Sequence, residues 1–251
     1  MKKNIITLFI ILIIVIFVFI FKHGLIDLRH IFTSKASGLT VVIDAGHGGF
    51  DPGKVGINKA LEKDINLSIA FKLKNYLEED AINVIMTRED DNGLYKKSDQ
   101  DKKRADMKKR IAIINSSDAL IAISIHQNSY TQESSRGAQV FYYQNSDKGR
   151  ILAEMIQEDI KNYLNDGNHR LAKSNSTYYM LRYSHCPLVI VECGFLSNWK
   201  EANLLCEDQY QDEIAWAIHL GIVEYINTYH EDKNEPLVRS ITGLYTSFSY
   251  N

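Results

Sequence analysis

Three apolar, strand-like runs in this chain each lead to a residue that can bind a metal or move a proton. The residues that follow these runs are His47, His126 and Glu192. In an open α/β sheet the ligand crevice lies beyond the carboxyl ends of the parallel strands, because those ends share one edge. Three such ends can bring two imidazoles and a carboxylate together although they are far apart in sequence. This combination indicates the chemistry of a metal-dependent hydrolase.

The first histidine lies in a glycine-rich stretch, 44–49, with the sequence Asp-Ala-Gly-His-Gly-Gly. The glycines around His47 let the backbone turn sharply and approach a ligand closely. Asp44 is a candidate to hold the imidazole by a hydrogen bond, as carboxylates do for many metal-bound histidines. The alternative is a turn after a strand in which the histidine is incidental.

The same stretch has the spacing of a phosphate-binding loop, but its chemistry is wrong for one. Val55 stands where such a loop needs Ser or Thr to bind magnesium. Asp51 adds a negative charge, and Pro52 lacks the N–H that a phosphate needs as a donor. The sequence therefore predicts no nucleotide site.

Two carboxylates and a second histidine complete the set. Glu62 starts the first predicted helix, at the far end of the loop that carries His47, so both side chains can reach one ion. Its alternative role is to stabilise the helix dipole. Strand alternation puts the side chains of His126 and Asn128 on the same side of the strand. The alternative to a metal-binding role is that His126 is a buried structural histidine. Glu192 closes the most apolar strand, and a carboxylate there must be paired, protonated or functional.

Two histidines, one carboxylate and a water match a catalytic zinc site, which keeps one coordination position open. Zinc makes water acidic near neutral pH and polarises a carbonyl for attack. Glu192 would take the proton of the water and pass it to the leaving nitrogen. The predicted reaction is amide hydrolysis, although ligand chemistry alone also permits manganese or iron.

Composition limits the class of protein. At 251 residues, with 45% hydrophobic residues and 3 Pro, the chain can form one well-cored domain plus an appendage. A formal net charge of -2 argues against a nucleic-acid partner, because nucleic-acid binders carry a strong basic excess. The 3 cysteines form no Cys-x-x-Cys pair, and an odd number cannot complete a disulfide framework.

The N-terminus carries a membrane signal. An apolar run over 5–21 follows Lys2 and Lys3, and about 17 residues is just enough to cross a bilayer. We expect a signal anchor or transmembrane helix over 1–22 and a tether over 23–38, with a cleaved signal peptide as the alternative. The basic flank favours a cytoplasmic N-terminus, which places the rest of the chain on the extracytoplasmic side.

From residue 39 the strand and helix periods alternate. The predicted strands are 40–44, 83–87, 119–125, 138–143, 178–181 and 188–192. The predicted helices are 64–79, 106–115, 149–164 and 208–229. This alternation predicts a single α/β domain over 39–230, with a mostly parallel twisted sheet flanked by helices. The last residues, 231–251, have no clear period and are interpreted as a tail.

Several motifs, in order along the chain, resemble those of the zinc-dependent N-acetylmuramoyl-L-alanine amidases. They are 44–49, Glu62 with Asn66, 110–112 with Asn115, 124–128, 136–138 and 192–198. The resemblance implies that His47, Glu62 and His126 hold one zinc ion and that Glu192 is the catalytic base. It also makes Asp44, Asn128, Arg110 and Arg136 candidates for supporting or substrate contacts.

The resemblance implies a peptidoglycan substrate, cleaved at the amide between the lactyl group of muramic acid and the first Ala of the stem peptide. A small anchored catalytic domain is most similar to the spore-cortex (CwlD-type) amidases of endospore formers. That similarity implies a role in making muramic δ-lactam for germination, in the intermembrane space of the forespore. The alternatives are another zinc-dependent peptidase or amide hydrolase, or a catalytically silent wall-binding protein. A further hypothesis is that an accessory protein must order the site.

Four other features receive structural interpretations. The mixed-charge stretch 88–110 is predicted to be a solvated loop leading into a helix. Arg136 is predicted to fix a loop, although its guanidinium also suits a stem-peptide carboxylate. His219 is expected to be a surface or helix-face residue. Cys193 is expected to be a neutral thiol. If it were ionised, its thiolate could compete for the metal.

Overall fold

The computed structural model describes residues 38–230. The predicted membrane segment 1–22, nearly all of the tether and the tail 231–251 lie outside the described residues. Among the helices within this range, none combines the length and the apolar character that crossing a membrane requires.

Six strands form one sheet in the described part of the chain, in the order β2-β1-β3-β6-β4-β5. They are β1 Thr40–Ala45, β2 Asn83–Met86, β3 Ile121–Asn128, β4 Gln139–Tyr143, β5 Lys173–Asn175 and β6 Leu188–Phe195. All pairs of neighbouring strands are parallel except β4 and β6, which are antiparallel. The prediction of a mostly parallel α/β sheet is confirmed.

Helices cover both faces of this sheet. They are α1 Glu62–Glu79, α2 Lys102–Ser116, α3 Asp147–Leu164, α4 Tyr179–Tyr183, α5 Trp199–Leu204 and α6 Asp208–His230. The larger core joins α1, α3 and α6 to one face of the sheet. A smaller core joins α2 and α4 to the other face. Because both faces are covered, the central strands are apolar almost throughout rather than alternating.

The predicted strand at 178–181 is wrong, because this segment begins the short helix α4. The side chain of Asn175 accepts hydrogen bonds from the backbone N–H groups of Thr177 and Tyr178, which turns the chain at the end of β5. One helical turn later, Tyr179 and Tyr183 lie with ring centroids 4.6 Å apart. This local turn and the aromatic contact outweigh the strand propensity of tyrosine.

His219 lies on a helix face, but this face is buried, so the alternative that His219 is a surface residue is wrong. Its exposed fraction is 3%, and its Nε2 lies 2.6 Å from Asp80 Oδ2. The neighbours one helical turn away, Ala215 and Ile222, are fully buried. His219 therefore lies on the face of α6 that packs against the end of α1, where Asp80 gives the imidazole a polar partner.

Candidate metal centre

The carboxyl ends of β1, β3 and β6 meet at one edge of the sheet, as the sequence predicted. In the strand register Asp44 lies beside Ser124, and His126 lies beside Glu192. His47 follows β1 by two residues. Three segments that are distant in sequence are thereby brought together by strand pairing alone.

Glu62 lies between the two histidines. Its Oε1 is 3.2 Å from His47 Nε2 and 3.0 Å from His126 Nδ1. The two imidazole rings meet edge to face, with centroids 5.0 Å apart. One potential ligand atom from each of the three residues lies within 4.8 Å of the others. The geometry therefore offers two nitrogens and one oxygen to a common point.

The electrostatics favour an ionised Glu62. Burial opposes ionisation, but hydrogen bonds and charge interactions with His126 and His47 outweigh it and hold the pKa of Glu62 well below its usual range. The backbone N–H of Gln127 donates to Oε1 (3.1 Å), and that of Lys54 donates to Oε2 (2.6 Å). The carboxylate is thus an oriented anion at the base of the site.

Two glycines allow the three side chains to come this close. A Cβ on Gly46 would lie 2.3 Å from the ring of His126. A Cβ on Gly53, whose φ is +68°, would lie 2.5 Å from Glu62 Oε2. Any side chain at these positions would displace a proposed ligand. The glycine pattern of the sequence is therefore explained by close packing around the site.

These residues fit a divalent metal ion. Two imidazole nitrogens turned towards one carboxylate form a donor set that zinc accepts, and three protein ligands leave a fourth position open. Among the described residues, His47, Glu62 and His126 are the group of metal-binding side chains that converges in this way. The fit supports the predicted ligand set.

Asp51 holds the imidazole of His47, a contact that the sequence analysis missed. His47 Nδ1 lies 3.0 Å from Asp51 Oδ2, and Lys103 Nζ lies 3.0 Å from Asp51 Oδ1. Burial opposes ionisation of Asp51, but His47 and Lys103 lower its pKa. An Nδ1–H that donates to this carboxylate leaves Nε2 with a lone pair directed at Glu62. Asp51 follows His47 by four residues within one tight loop, and this spacing is the feature of the sequence that could have predicted the contact.

Asp44 has other partners, so the prediction that it holds an imidazole is wrong. Its oxygens accept hydrogen bonds from Thr87 (2.7 Å), Arg110 (2.7 Å) and Ser124 (2.6 Å). Burial alone would raise the pKa of Asp44, but Arg110, Ser124 and Thr87 lower it to about 2. Asp44 is a buried anion that ties β1 to β3 and to α2.

Two buried arginines hold the backbone that carries His47. Arg110 donates to the carbonyls of Ala45 and His47, and Arg88 donates to those of Ala45 and Gly46. His47 has a φ of +63°, a left-handed conformation that costs energy for a residue with a side chain. The guanidinium groups stabilise this conformation. Arg88 is 4% exposed, so the prediction of a solvated loop is wrong at that end of 88–110.

Glu192 lies beside the three convergent side chains. Burial raises the pKa of Glu192 to about 7, and His126 opposes that shift. Its Oε2 is buried and has no hydrogen-bond partner among the described residues. With His47 and His126 it lines a cavity of about 370 Å³. A buried carboxyl group that lacks a partner, beside a cavity, is suited to exchange a proton with a ligand.

Cys193 points away from this cavity. Strand alternation turns it to the face opposite Glu192, into the larger core, where it is 1% exposed. Burial raises the pKa of its thiol far above the usual range. The thiol therefore stays neutral and does not compete for a metal.

Two predicted contacts lie away from the site. Asn128 Oδ1 accepts from the backbone N–H of Ser129 (2.8 Å), just after an irregularity in the β3–β6 register. Arg136 is exposed and lines a different cavity. Neither residue borders the cavity that His47 lines.

Replacing Asp51 with Asn is expected to weaken zinc binding about 10- to 100-fold, the range typical of lost partners to metal-bound histidines. An amide lacks the charge that favours the Nδ1–H tautomer of His47. Competition with a chromogenic zinc chelator measures the dissociation constant. Asp64→Asn is the matched control, because Asp64 is exposed on the first turn of α1. Unchanged zinc affinity in Asp51→Asn would contradict the assigned role.

Comparisons with known proteins find similar sequences. A family model described as N-acetylmuramoyl-L-alanine amidase matches residues 41–224. The germination-specific N-acetylmuramoyl-L-alanine amidase of Bacillus subtilis (strain 168) is 36% identical over 227 residues, which cover 89% of this chain and 93% of that protein.

Solved structures are similar in the same way. The CwlD amidase from Clostridioides difficile, solved in complex with the GerS lipoprotein, is 41% identical in sequence to this chain, with a TM-score of 0.74. The match covers 76% of this chain and 100% of the CwlD chain. An N-acetylmuramoyl-L-alanine amidase from Clostridium difficile 630 is 31% identical with a TM-score of 0.68, over 78% of this chain and 99% of its own.

Proposed function

The chain belongs to the N-acetylmuramoyl-L-alanine amidase family, and from this premise we propose that His47, Glu62 and His126 hold one zinc ion while Glu192 acts as the base. The bond cleaved joins the lactyl group of muramic acid to the L-Ala of the peptidoglycan stem peptide. The observation that carries the proposal is the convergence of three ligand atoms within 4.8 Å beside Glu192.

Glu192 moves the proton in this reaction. A bound zinc ion supplies Lewis acidity, which polarises the scissile carbonyl and makes water a stronger acid. A carboxyl group whose burial raises its pKa to about 7 can accept a proton from water and return it to the leaving amide nitrogen at neutral pH. Glu62 remains ionised under the same conditions, because its two imidazole partners lower its pKa. The two carboxylates therefore have different roles.

The walls of the cavity suit a substrate with an apolar part and a polar part. Its aromatic and apolar lining residues include Tyr178, Tyr179, Met180 and Ile190. Its charged lining residues include Asp51, Lys103, Asp106 and Arg110. An amide that joins an alkyl lactyl group to a peptide can contact both kinds of lining residue.

In the cell we assign this activity to the formation of spore-cortex peptidoglycan, as a step that prepares muramic acid for δ-lactam formation and germination. The similarity to a germination-specific amidase and to the CwlD amidase supports this assignment. Residues 1–22 would anchor the enzyme, with the catalytic domain in the intermembrane space of the forespore. Protease accessibility in sporulating cells tests this location.

An accessory lipoprotein is part of the same proposal. The CwlD amidase was solved in complex with the GerS lipoprotein. In the present chain the proposed ligands come from a loop, a helix start and a strand, so metal affinity depends on how well these segments are ordered. A partner that binds the ordered form would raise zinc occupancy by mass action.

Muropeptide mass spectrometry tests the activity. We expect the purified chain, loaded with zinc, to release intact stem peptides from peptidoglycan, and to release none after a chelator removes the metal. Readdition of zinc should restore release. Release of peptide fragments instead of intact stems would identify a peptidase. A metal-filled protein that releases nothing would contradict the substrate assignment, whereas a protein that fails to retain zinc would point to the missing partner.

A further inference from the structure

A second cavity is lined by the segments that precede β4 and β5. Its volume is about 350 Å³, and Arg136, Asp166, Asn168 and Arg170 are among the residues that line it. None of these residues borders the cavity that His47 and Glu192 line. The mechanism proposed above therefore makes no use of it.

One side chain, Gln139, links this cavity to the face of the sheet on which Glu192 lies. Gln139 lies directly opposite Glu192 in the antiparallel β4–β6 pair, and directly opposed residues project from the same face. Gln139 Oε1 accepts a hydrogen bond from Arg170 Nη1 (3.3 Å). Arg170 is thus about two strand spacings, roughly 10 Å, from Glu192.

Arg170 is held in one orientation. Its Nε donates to the carbonyl of Arg136 (2.7 Å), and its guanidinium lies over the ring of Phe195, 4.7 Å from the centroid. Its backbone N–H donates to Asn168 Oδ1 (3.0 Å). These contacts fix the guanidinium plane at low entropic cost, which is favourable for recognising a planar anion.

Buried polar side chains build the frame of the cavity. Asn168, 9% exposed, donates to the carbonyl of Ala138 (2.8 Å). Glu201, 6% exposed, accepts from the N–H groups of Gly137 (2.8 Å) and Phe195 (2.8 Å). The segment after Arg136 is thereby tied to the end of β6. The two arginines are presented on a rigid support.

Among the described residues, the side chain of Arg136 in this cavity has no polar partner. Within the described range 38–230, its side chain has neither a hydrogen-bond partner nor a carboxylate within ion-pair distance. Asp166 also lines the cavity, and its Oδ1 accepts the backbone N–H of Asn168 (2.9 Å). The carboxylates of Asp166 and Glu201 lie near Arg170. The Arg136 guanidinium, which has no such partner among the described residues, is therefore the group in this cavity that can bind an anion.

We propose that Arg136 and Arg170 form a subsite for a carboxylate of the stem peptide. The inference rests on the proposed amidase function and adds a determinant of substrate choice to it. An extended peptide advances about 3.3–3.6 Å per residue, so roughly 10 Å corresponds to about three residues beyond the bond cleaved beside Glu192. The carboxylate bound is therefore on the second or third residue of the stem. A guanidinium pair recognises that group by charge-assisted hydrogen bonds.

The test compares two synthetic muramyl tripeptides, one with free peptide carboxylates and one with each carboxylate converted to a carboxamide. The zinc-loaded full chain is expected to have a kcat/KM about tenfold or more higher for the acid, since one charge-assisted hydrogen bond corresponds to at least that factor. Arg136→Gln should lower kcat/KM for the acid to the level of the carboxamide and leave the carboxamide unchanged. Arg136→Lys should restore part of the preference.

Arg150→Gln is the matched control, because Arg150 lies on α3 and pairs with the exposed Glu154. A preference for the acid that survives in Arg136→Gln, or is absent from the wild type, would overturn the subsite. Calorimetric titration with the free acid tripeptide separates the subsite from the reaction. If neither muramyl peptide is cleaved, the amidase function fails, and loss of tripeptide affinity in Arg136→Gln still decides whether the subsite exists.

Discussion

Glu192→Gln is expected to lower kcat/KM for stem-peptide release by about 10²- to 10⁴-fold, the range associated with one general acid–base group. Zinc should remain bound at one ion per chain, because the proposed ligands are His47, Glu62 and His126 and not Glu192. The fold should also persist. The amide is nearly isosteric, and the acid it replaces has a buried oxygen without a partner, so no hydrogen bond is lost there.

The measurement combines three readouts on one preparation: muropeptide mass spectrometry, zinc content and thermal unfolding. Glu158→Gln is the control, since Glu158 is an exposed residue on α3 and should change none of them. Loss of zinc in Glu192→Gln equal to that in a ligand variant would show that Glu192 binds the metal. Full activity of Glu192→Gln would remove it from the mechanism altogether.

His126→Ala is expected to abolish both zinc binding and hydrolysis. Loss of a ligand should weaken zinc binding by more than the 10- to 100-fold that follows from losing a supporting contact. The variant also leaves Glu62 without the partner that contributes most to lowering its pKa. Activity should fall at least as far as in Glu192→Gln, because the ion that polarises the carbonyl is gone.

Zinc competition and activity assays on His126→Ala decide this prediction, with His185→Ala as the control. His185 is exposed, and its backbone N–H donates to Asn115. A His126→Ala protein that still binds one zinc ion tightly but is inactive would assign His126 to the substrate instead. A protein that loses neither property would contradict the proposed metal centre.

The proximity of His47, Glu62, His126 and Glu192 was predictable, because it depends on one rule of sheet topology. A strand period followed by a helix period predicts parallel strands, and parallel strands place their carboxyl ends at the same edge. His47, His126 and Glu192 each lie at or just beyond such an end, and Glu62 lies at the start of α1. The neutral thiol expected for Cys193 is supported by its burial in the larger core.

The missed elements are short. β5 has 3 residues and α5 has 6, so neither spans enough residues to display a period. The segment 178–181 has strand propensity, but the turn built by Asn175 directs it into a helix. In such segments side-chain hydrogen bonds to the backbone are as strong as the propensity itself, and sequence pattern alone cannot rank them.

The sequence by itself determined the α/β class, the strand ends and the residue types that meet there, because these follow from local periodicity and a single topological rule. Tertiary structure alone decided which partner each polar group has. Asp51 rather than Asp44 holds His47, Arg88 and Arg110 hold its backbone, and Gln139 connects Glu192 to Arg170. Most of these contacts join residues distant in sequence, and a hydrogen bond depends on tenths of an ångström and on direction. No periodicity encodes either quantity.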